Sequence, residues 1–310
     1  MSKVIAIVGS TGLQGGSVLK ALYGKDGYTI RALTRDPDSA PAKNLKTKYP
    51  DVELVKANVD KIDSLRNAFK GADLVFGMTT FVLTRNGTTA KMEDHEAEFR
   101  HGMNIVDAAI AEGVSSLIFS SLDSMDKISN GKYPNVSHLE NKNKVEQYIL
   151  SKAGTIRGYF VYAGFYMENY VNFSRISPED NSTVEFTILL PPDTELALVD
   201  VVNDMGGVVE YIVDNPEECL GKVMEVSGGY YKASDMVDAF TSATGKPARY
   251  VQLPPEIFGS EELTQMFKGM IEFGSFGGRT EFVERNKRMD YKFTTPTEFW
   301  KNRGWTGPTQ

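Results

Sequence analysis

The sequence has one cysteine, Cys219, three histidines, and no apolar run near the ~20 residues that a membrane-spanning helix needs. A lone thiol excludes an internal disulfide and fits a reducing compartment; it is expected to be a small buried hydrophobe rather than a nucleophile. His95, His101 and His138 form no metal-ligand array with it, so no metal site is expected. Positive charge is also scarce: 34 Lys and Arg against 41 Asp and Glu leave a net charge of −7. That argues against direct nucleic acid binding, which is driven by basic patches releasing counterions, and leaves a basic protein partner open. Strand-forming residues begin at Val4, so no secretory leader is expected, and a cytoplasmic or nuclear location follows as the default. The chain is otherwise of ordinary globular composition, 41% hydrophobic and 24% charged. Its 310 residues allow a nucleotide-binding core with a smaller attached lobe.

The most informative stretch is Val4-Ile5-Ala6-Ile7-Val8-Gly9-Ser10-Thr11-Gly12-Leu13-Gln14-Gly15-Gly16. An unbroken β-branched apolar run suits a strand buried on both faces, as in a parallel sheet. Gly9, Gly12 and Gly15 follow at three-residue intervals. At a strand-to-helix turn, missing Cβ atoms permit a tight bend, approach of backbone N–H groups to a pyrophosphate, and close packing of helix on strand. The helix this opens, about Leu13 to Leu22, would aim its positive dipole end at those phosphates. A second strand, Tyr28 to Leu33, ends at Thr34-Arg35, where a dinucleotide fold reads the adenosine ribose. Arg35 there favours a 2′-phosphate, and so NADP over NAD; a solvated surface arginine, with Asp36 taking a ribose hydroxyl, is the alternative.

Strand and helix patterns then alternate. Helices are expected over about 40–49, 62–70, 93–112 and 138–150, and strands over 52–57, 72–78, 117–121 and 156–162. Sustained βα alternation predicts an α/β fold, a Rossmann-type doubly wound parallel sheet. Polar segments at the carboxyl ends of strands, Thr79 to Lys91 and Leu122 to Ser137, are candidate mobile loops over a ligand. His95 and His101 are expected to be solvent-facing or structural. After Ala163 strict alternation lapses: a strand over 184–190, a helix over 200–213 and a returning strand over 222–227 are expected. The dinucleotide-binding domain is therefore drawn as 1–162, completed by about 197–228, and a smaller α+β substrate or partner lobe as 163–196 and 229–310.

Several motifs together resemble one family. Gly9-Ser10-Thr11-Gly12-Leu13-Gln14-Gly15-Gly16-Ser17-Val18, Leu33-Thr34-Arg35-Asp36-Pro37, His138-Leu139-Glu140-Asn141-Lys142-Asn143-Lys144-Val145-Glu146 and Phe165-Tyr166-Met167-Glu168-Asn169 resemble the NmrA-like family, an atypical branch of the short-chain dehydrogenase/reductase superfamily. The resemblance spans nearly the whole chain and is strongest over residues 1–170. It implies a Rossmann core with NAD(P) across the carboxyl edge, and a family in which several members act as redox sensors and negative transcriptional regulators through protein partners.

Carried over by position, Gly9, Thr11, Gly12, Leu13, Gln14 and Gly15 would line the phosphates, Arg35 the 2′-phosphate, and Asn58 the adenine edge. Thr79 and Thr80 would lie beside the nicotinamide ribose, and Tyr162, Phe165 and Asn169 would complete the cofactor site. Ser120 sits where active short-chain dehydrogenases keep a serine that positions the substrate carbonyl. His138 and Lys142 fall where those enzymes carry the Tyr and Lys of a Tyr-x-x-x-Lys pair, so the usual proton donor is replaced. Lys142 could hydrogen-bond the nicotinamide ribose, as a lysine does in isoflavone-reductase-like enzymes. The resemblance thus implies an NADP-responsive regulator. The alternative is an NADPH-dependent reductase of a small carbonyl or enone held by Phe81, Phe165, Tyr166 and Asn169, with Lys142 and Ser120 as the catalytic pair.

Overall fold

The computed structural model describes residues 2–80 and 92–308, with side chains of 92–95 excepted. The first half of the chain runs β1 (Lys3–Ile7), α1 (Leu13–Leu22), β2 (Tyr28–Thr34), α2 (Ala40–Lys48), β3 (Glu53–Lys56), α3 (Ile62–Phe69) and β4 (Leu74–Gly77). It continues through α4 (Met92–Ala111), β5 (Ser116–Ser121), α5 (Met125–Ile128), α6 (Ser137–Leu150) and β6 (Arg157–Ala163). Next come β7 (Phe165–Tyr166), α7 (Glu168–Asn172), β8 (Ser174–Ile176), β9 (Val184–Ile188), β10 (Glu195–Val199), α8 (Val201–Asp214) and α9 (Pro216–Cys219). The remainder is β11 (Val223–Val226), β12 (Tyr230–Lys232), α10 (Asp235–Thr244), β13 (Ala248–Gln252), α11 (Glu261–Phe273), α12 (Glu281–Asn286) and α13 (Pro296–Arg303).

Among the described residues a seven-stranded sheet has the order β11-β6-β5-β4-β1-β2-β3. β1 pairs in parallel with both β2 and β4, so the chain reverses its direction of travel across the sheet between them. This is the Rossmann-like α/β fold, and the reversal opens a crevice outside the carboxyl ends of β1 and β4. Ile5, Ala6 and Ile7 have no exposed surface, as expected of a central strand covered on both faces.

Two glycines set helix spacing in this unit. A Cβ on Gly206 of α8 would lie 2.2 Å from the Ser17 carbonyl of α1, and the Gly206 N–H donates to Ser17 Oγ at 2.9 Å. A Cβ on Gly102 of α4 would meet Val145 Cγ2 of α6 at 2.2 Å. Glycine costs a helix interior about 1 kcal/mol, and here that cost permits close helix packing. No helix of the described residues is long and apolar enough to cross a membrane.

The chain forms two compact units, one of residues 1–123, 137–162 and 205–224, the other of 124–136, 163–204 and 225–310. The second unit holds two three-stranded sheets, β12-β10-β7 and β13-β9-β8. Its core is aromatic: Phe186 meets Phe240 at 5.2 Å between ring centroids and Trp300 at 5.7 Å, and the Trp300 indole N–H donates to the Met236 carbonyl. A capping box, Thr295 with Glu298, starts α13.

The polar stretch 122–137, the second candidate mobile loop, contains α5, which Ser124 caps by accepting from the Lys127 N–H. Residues 124–136 belong to the second unit. Lys132 donates to Glu272 of α11 at 2.7 Å, and the Asn135 N–H donates to Gln265 at 2.8 Å. The other polar loop, Thr79 to Lys91, and Phe81 within it, lie outside the described residues apart from Thr79 and Thr80. The side chain of His95 does too. His101 is paired with Asp60, a structural role, and Cys219 is buried.

Candidate functional site

After β1 the chain turns at Gly9, whose φ of +69° is left-handed and favours glycine. The Gly12 N–H closes this turn on the Gly9 carbonyl at 2.9 Å. A Cβ on Gly15 would sit 2.3 Å from the same carbonyl, so the helix can lie against the turn only without one. Gly12, extended at φ −96°, is the N-cap of α1 and, like every glycine, brings no side chain to satisfy its first N–H groups. The loop therefore offers a helix dipole, a helix start with no side-chain cap, and room for a group without a Cβ in the way, which fits a pyrophosphate. Thr11, Gly12 and Leu13 are exposed on it, and Gln14 is half-buried.

Ser10 fixes this loop to the next strand. Its hydroxyl donates to the Ile7 carbonyl at 2.7 Å and accepts from the Leu33 N–H at 3.1 Å. β2 thus ends beside the loop, and Arg35 follows it, exposed and with no hydrogen bond or ion pair among the described residues. Asp36 is committed elsewhere: its carboxylate accepts from the Asp38 N–H at 3.0 Å and its carbonyl from the Ser39 hydroxyl at 2.7 Å, forming the turn into α2. Asn58, half-buried after β3, accepts from the Asp60 N–H at 3.0 Å.

At the end of β4 lies a closely bonded cluster. Lys142, on α6, donates from its ammonium to the Thr79 carbonyl at 2.8 Å, to Thr79 Oγ1 at 2.9 Å and to Glu98 Oε1 at 2.6 Å. The Thr79 hydroxyl in turn donates to Glu98 Oε1 at 2.9 Å. An ammonium has three donors, and all three are used. Glu98, on α4, is 2% exposed, and its other carboxylate oxygen is buried with no hydrogen-bond partner among the described residues. The Gly102–Val145 contact explains how α4 and α6 approach closely enough for this pair, since Glu98 and Lys142 each lie about one turn before it. The Ser121 hydroxyl donates to the Lys142 carbonyl at 3.1 Å, anchoring α6 to the end of β5. Ser120, the residue singled out from sequence, is buried beside it, and His138 lies half-buried in the first turn of α6.

The structure thus assembles Gly9 to Gly15, Arg35, Asn58, Thr79, Thr80, Ser120 and Lys142 along the carboxyl edge of one sheet. Tyr162 is buried at the end of β6 with its hydroxyl donating to Glu146 at 2.8 Å. Phe165, Tyr166 and Asn169 belong to the second unit, in β7 and α7, each half-buried; β7 pairs with β10. Glu98 was missed from sequence. Its helical spacing to Ile105 and Ala109 puts it on the buried α4 stripe, but nothing in that spacing names Lys142 as its partner.

A family model described as the NmrA-like family matches residues 1–302. An NmrA-like family domain-containing oxidoreductase, cpsB, of Aspergillus campestris is 32% identical over 83% of this chain and 78% of its own length. The solved structure of Nmra, a negative transcriptional regulator, in complex with NAD covers 97% of this chain and 94% of its own with a TM-score of 0.78 at 22% identity. The NADPH complex of the Escherichia coli NADPH-dependent quinone oxidoreductase QOR2 covers 97% and 99% with a TM-score of 0.70 at 19% identity.

Proposed function

Because this chain belongs to the NmrA-like family, we propose that it binds NADP(H) at the β1/β4 crevice and acts as a nucleotide-responsive regulator through a protein partner. The observation that carries the regulator over the reductase is the state of Lys142. Its three N–H donors are spent on Thr79 and Glu98, and the residue four positions earlier is His138 rather than the tyrosine a dehydrogenase uses as acid. A regulator needs only that nucleotide favour one conformation over another. A reductase needs a positioned proton donor as well. The net charge of −7 supports a basic partner protein.

The reductase is the second reading, favoured by the presence of an ammonium at the end of β4, where it could orient a nicotinamide ribose, and by the oxidoreductase name of the fungal relative. In that version NADPH gives hydride to a small carbonyl or enone. The two are separated by incubating purified protein with NADPH and a panel of aldehydes, ketones, enones and quinones. The regulator predicts negligible NADPH consumption, a modest loss of NADP affinity in Lys142→Ala, and a nucleotide-dependent affinity for a basic partner with the reciprocal effect that linkage requires. Substrate-dependent turnover at ordinary enzyme rates, abolished in Lys142→Ala with nucleotide affinity retained, establishes the reductase instead.

A further inference from the structure

We infer that Glu98 is a positioning residue that sets which redox form of the nucleotide the site prefers, by cancelling the charge of Lys142 at the end of β4. The inference rests on the nucleotide-binding reading above, and not on the choice between regulator and reductase. Glu98 is 2% exposed, and its only described partners are the Lys142 ammonium at 2.6 Å and the Thr79 hydroxyl at 2.9 Å. Burying a carboxylate is costly unless it is paired, and removing one member of such a pair leaves the other uncompensated. Among the described residues Glu98 Oε1 carries both hydrogen bonds and Oε2 none, so the Lys142 ammonium and the Thr79 hydroxyl are what compensate this buried carboxylate.

The pairing matters because of charge. Oxidised nicotinamide carries a positive charge, and the reduced ring is neutral. A lone lysine at the nicotinamide end would repel the oxidised form and leave the reduced form untouched. With Glu98 against it the pair is neutral, and the oxidised ring is accepted without that penalty. Glu98 and Thr79 together hold the Lys142 ammonium at the end of β4.

The experiment measures dissociation constants for NADP+ and NADPH by calorimetry on the full chain, in wild type, Glu98→Gln and the double variant Glu98→Gln/Lys142→Met. Glutamine keeps the shape and an acceptor for Lys142 but removes the charge. The expected result is that the ratio Kd(NADP+)/Kd(NADPH) rises roughly tenfold in Glu98→Gln, the scale of one uncompensated charge in a partly buried site. It should return to the wild-type value in the double variant, where the net charge of the pair is again zero. Equal weakening of both forms, or an unchanged ratio, overturns the inference, because a purely structural role moves both constants together. If Glu98→Gln does not fold, Lys142→Met is compared with the double variant: these differ only in the carboxylate, the former should favour NADP+ more, and equal ratios overturn the inference. Wild-type protein that binds neither nucleotide would instead sink the nucleotide reading itself.

Discussion

Arg35 is the residue on which nucleotide choice turns. It follows β2, which Ser10 ties to the phosphate loop, and it is exposed with no partner among the described residues, whereas the carboxylate of Asp36 is held in the turn into α2. A guanidinium fork matches a phosphate, and a charge-assisted bond of this kind is worth about 1.5–3 kcal/mol. Arg35→Glu should therefore weaken NADP binding by roughly tenfold to about 150-fold and leave NAD binding nearly unchanged, as read by calorimetry with both nucleotides. Equal loss for both would assign Arg35 to the fold. At this scale the turn built from Gly9, Gly12 and Gly15 could be read from local spacing, whereas Lys142 was singled out only through the family resemblance. Glu98 was not singled out, since its partnership with Lys142 joins residues 44 apart through the packing of α4 on α6.

Elements were legible where periodicity is strong and less so where burial is decided by tertiary contacts. The β-branched run of β1 and the apolar stripes of α1 and α4 announced themselves, whereas α5, a single turn with a serine cap, and the anchoring of its neighbours on α11 did not. The start of α8 is another example. Glu168 accepts from the Val201 and Val202 N–H groups, capping the helix from a distance, and Asp204 accepts from the Thr294 N–H at 3.2 Å, the Thr294 hydroxyl at 2.9 Å and the Tyr291 hydroxyl at 3.1 Å. Burial, and secondarily the charge of Asp200, pushes the Asp204 carboxyl up to about 6 from its ordinary 3.8. The folded state then binds the extra proton between those values, so the stability contributed by Asp204 falls as pH rises from about 4 to about 6. Chemical denaturation of wild type and Asp204→Asn across this range should show wild type gaining on the variant as pH is lowered, by up to about 3 kcal/mol. Glu298, held down at about 2 by Lys292 and the capping box, acts below its ordinary 4.5 and is common to both proteins. A difference between wild type and variant that is flat from pH 4 to 6 would remove Asp204 from this role.

For the whole molecule, chain order and spatial organisation diverge. The chain passes between its two compact units five times, after residues 123, 136, 162, 204 and 224. The repeating βα pattern through β6 made the first 162 residues look like a domain, with a later segment completing it. The described groups proposed for the phosphates, the 2′-phosphate and the nicotinamide ribose, from Gly9 to Lys142, do lie within that span. Yet the unit containing them also needs residues 205–224: Gly206 sits against Ser17, and Met205, Val208, Val209 and Ile212 of α8 are buried. Removing this segment uncovers the faces it protects. Burial of a large apolar side chain is worth about 1.5–3 kcal/mol, so four of them approach the ~5–15 kcal/mol that holds a whole domain together. A fragment ending at Tyr162 should therefore keep helical and strand content by far-ultraviolet circular dichroism but show no cooperative thermal unfolding and no NADP binding. Joining residues 205–224 to it through a flexible linker should recover part of the cooperativity, because the missing faces are then covered again. A fragment that melts cooperatively and binds NADP without that segment would mean that α8 contributes little to the nucleotide-binding unit, against its burial and its contact with α1.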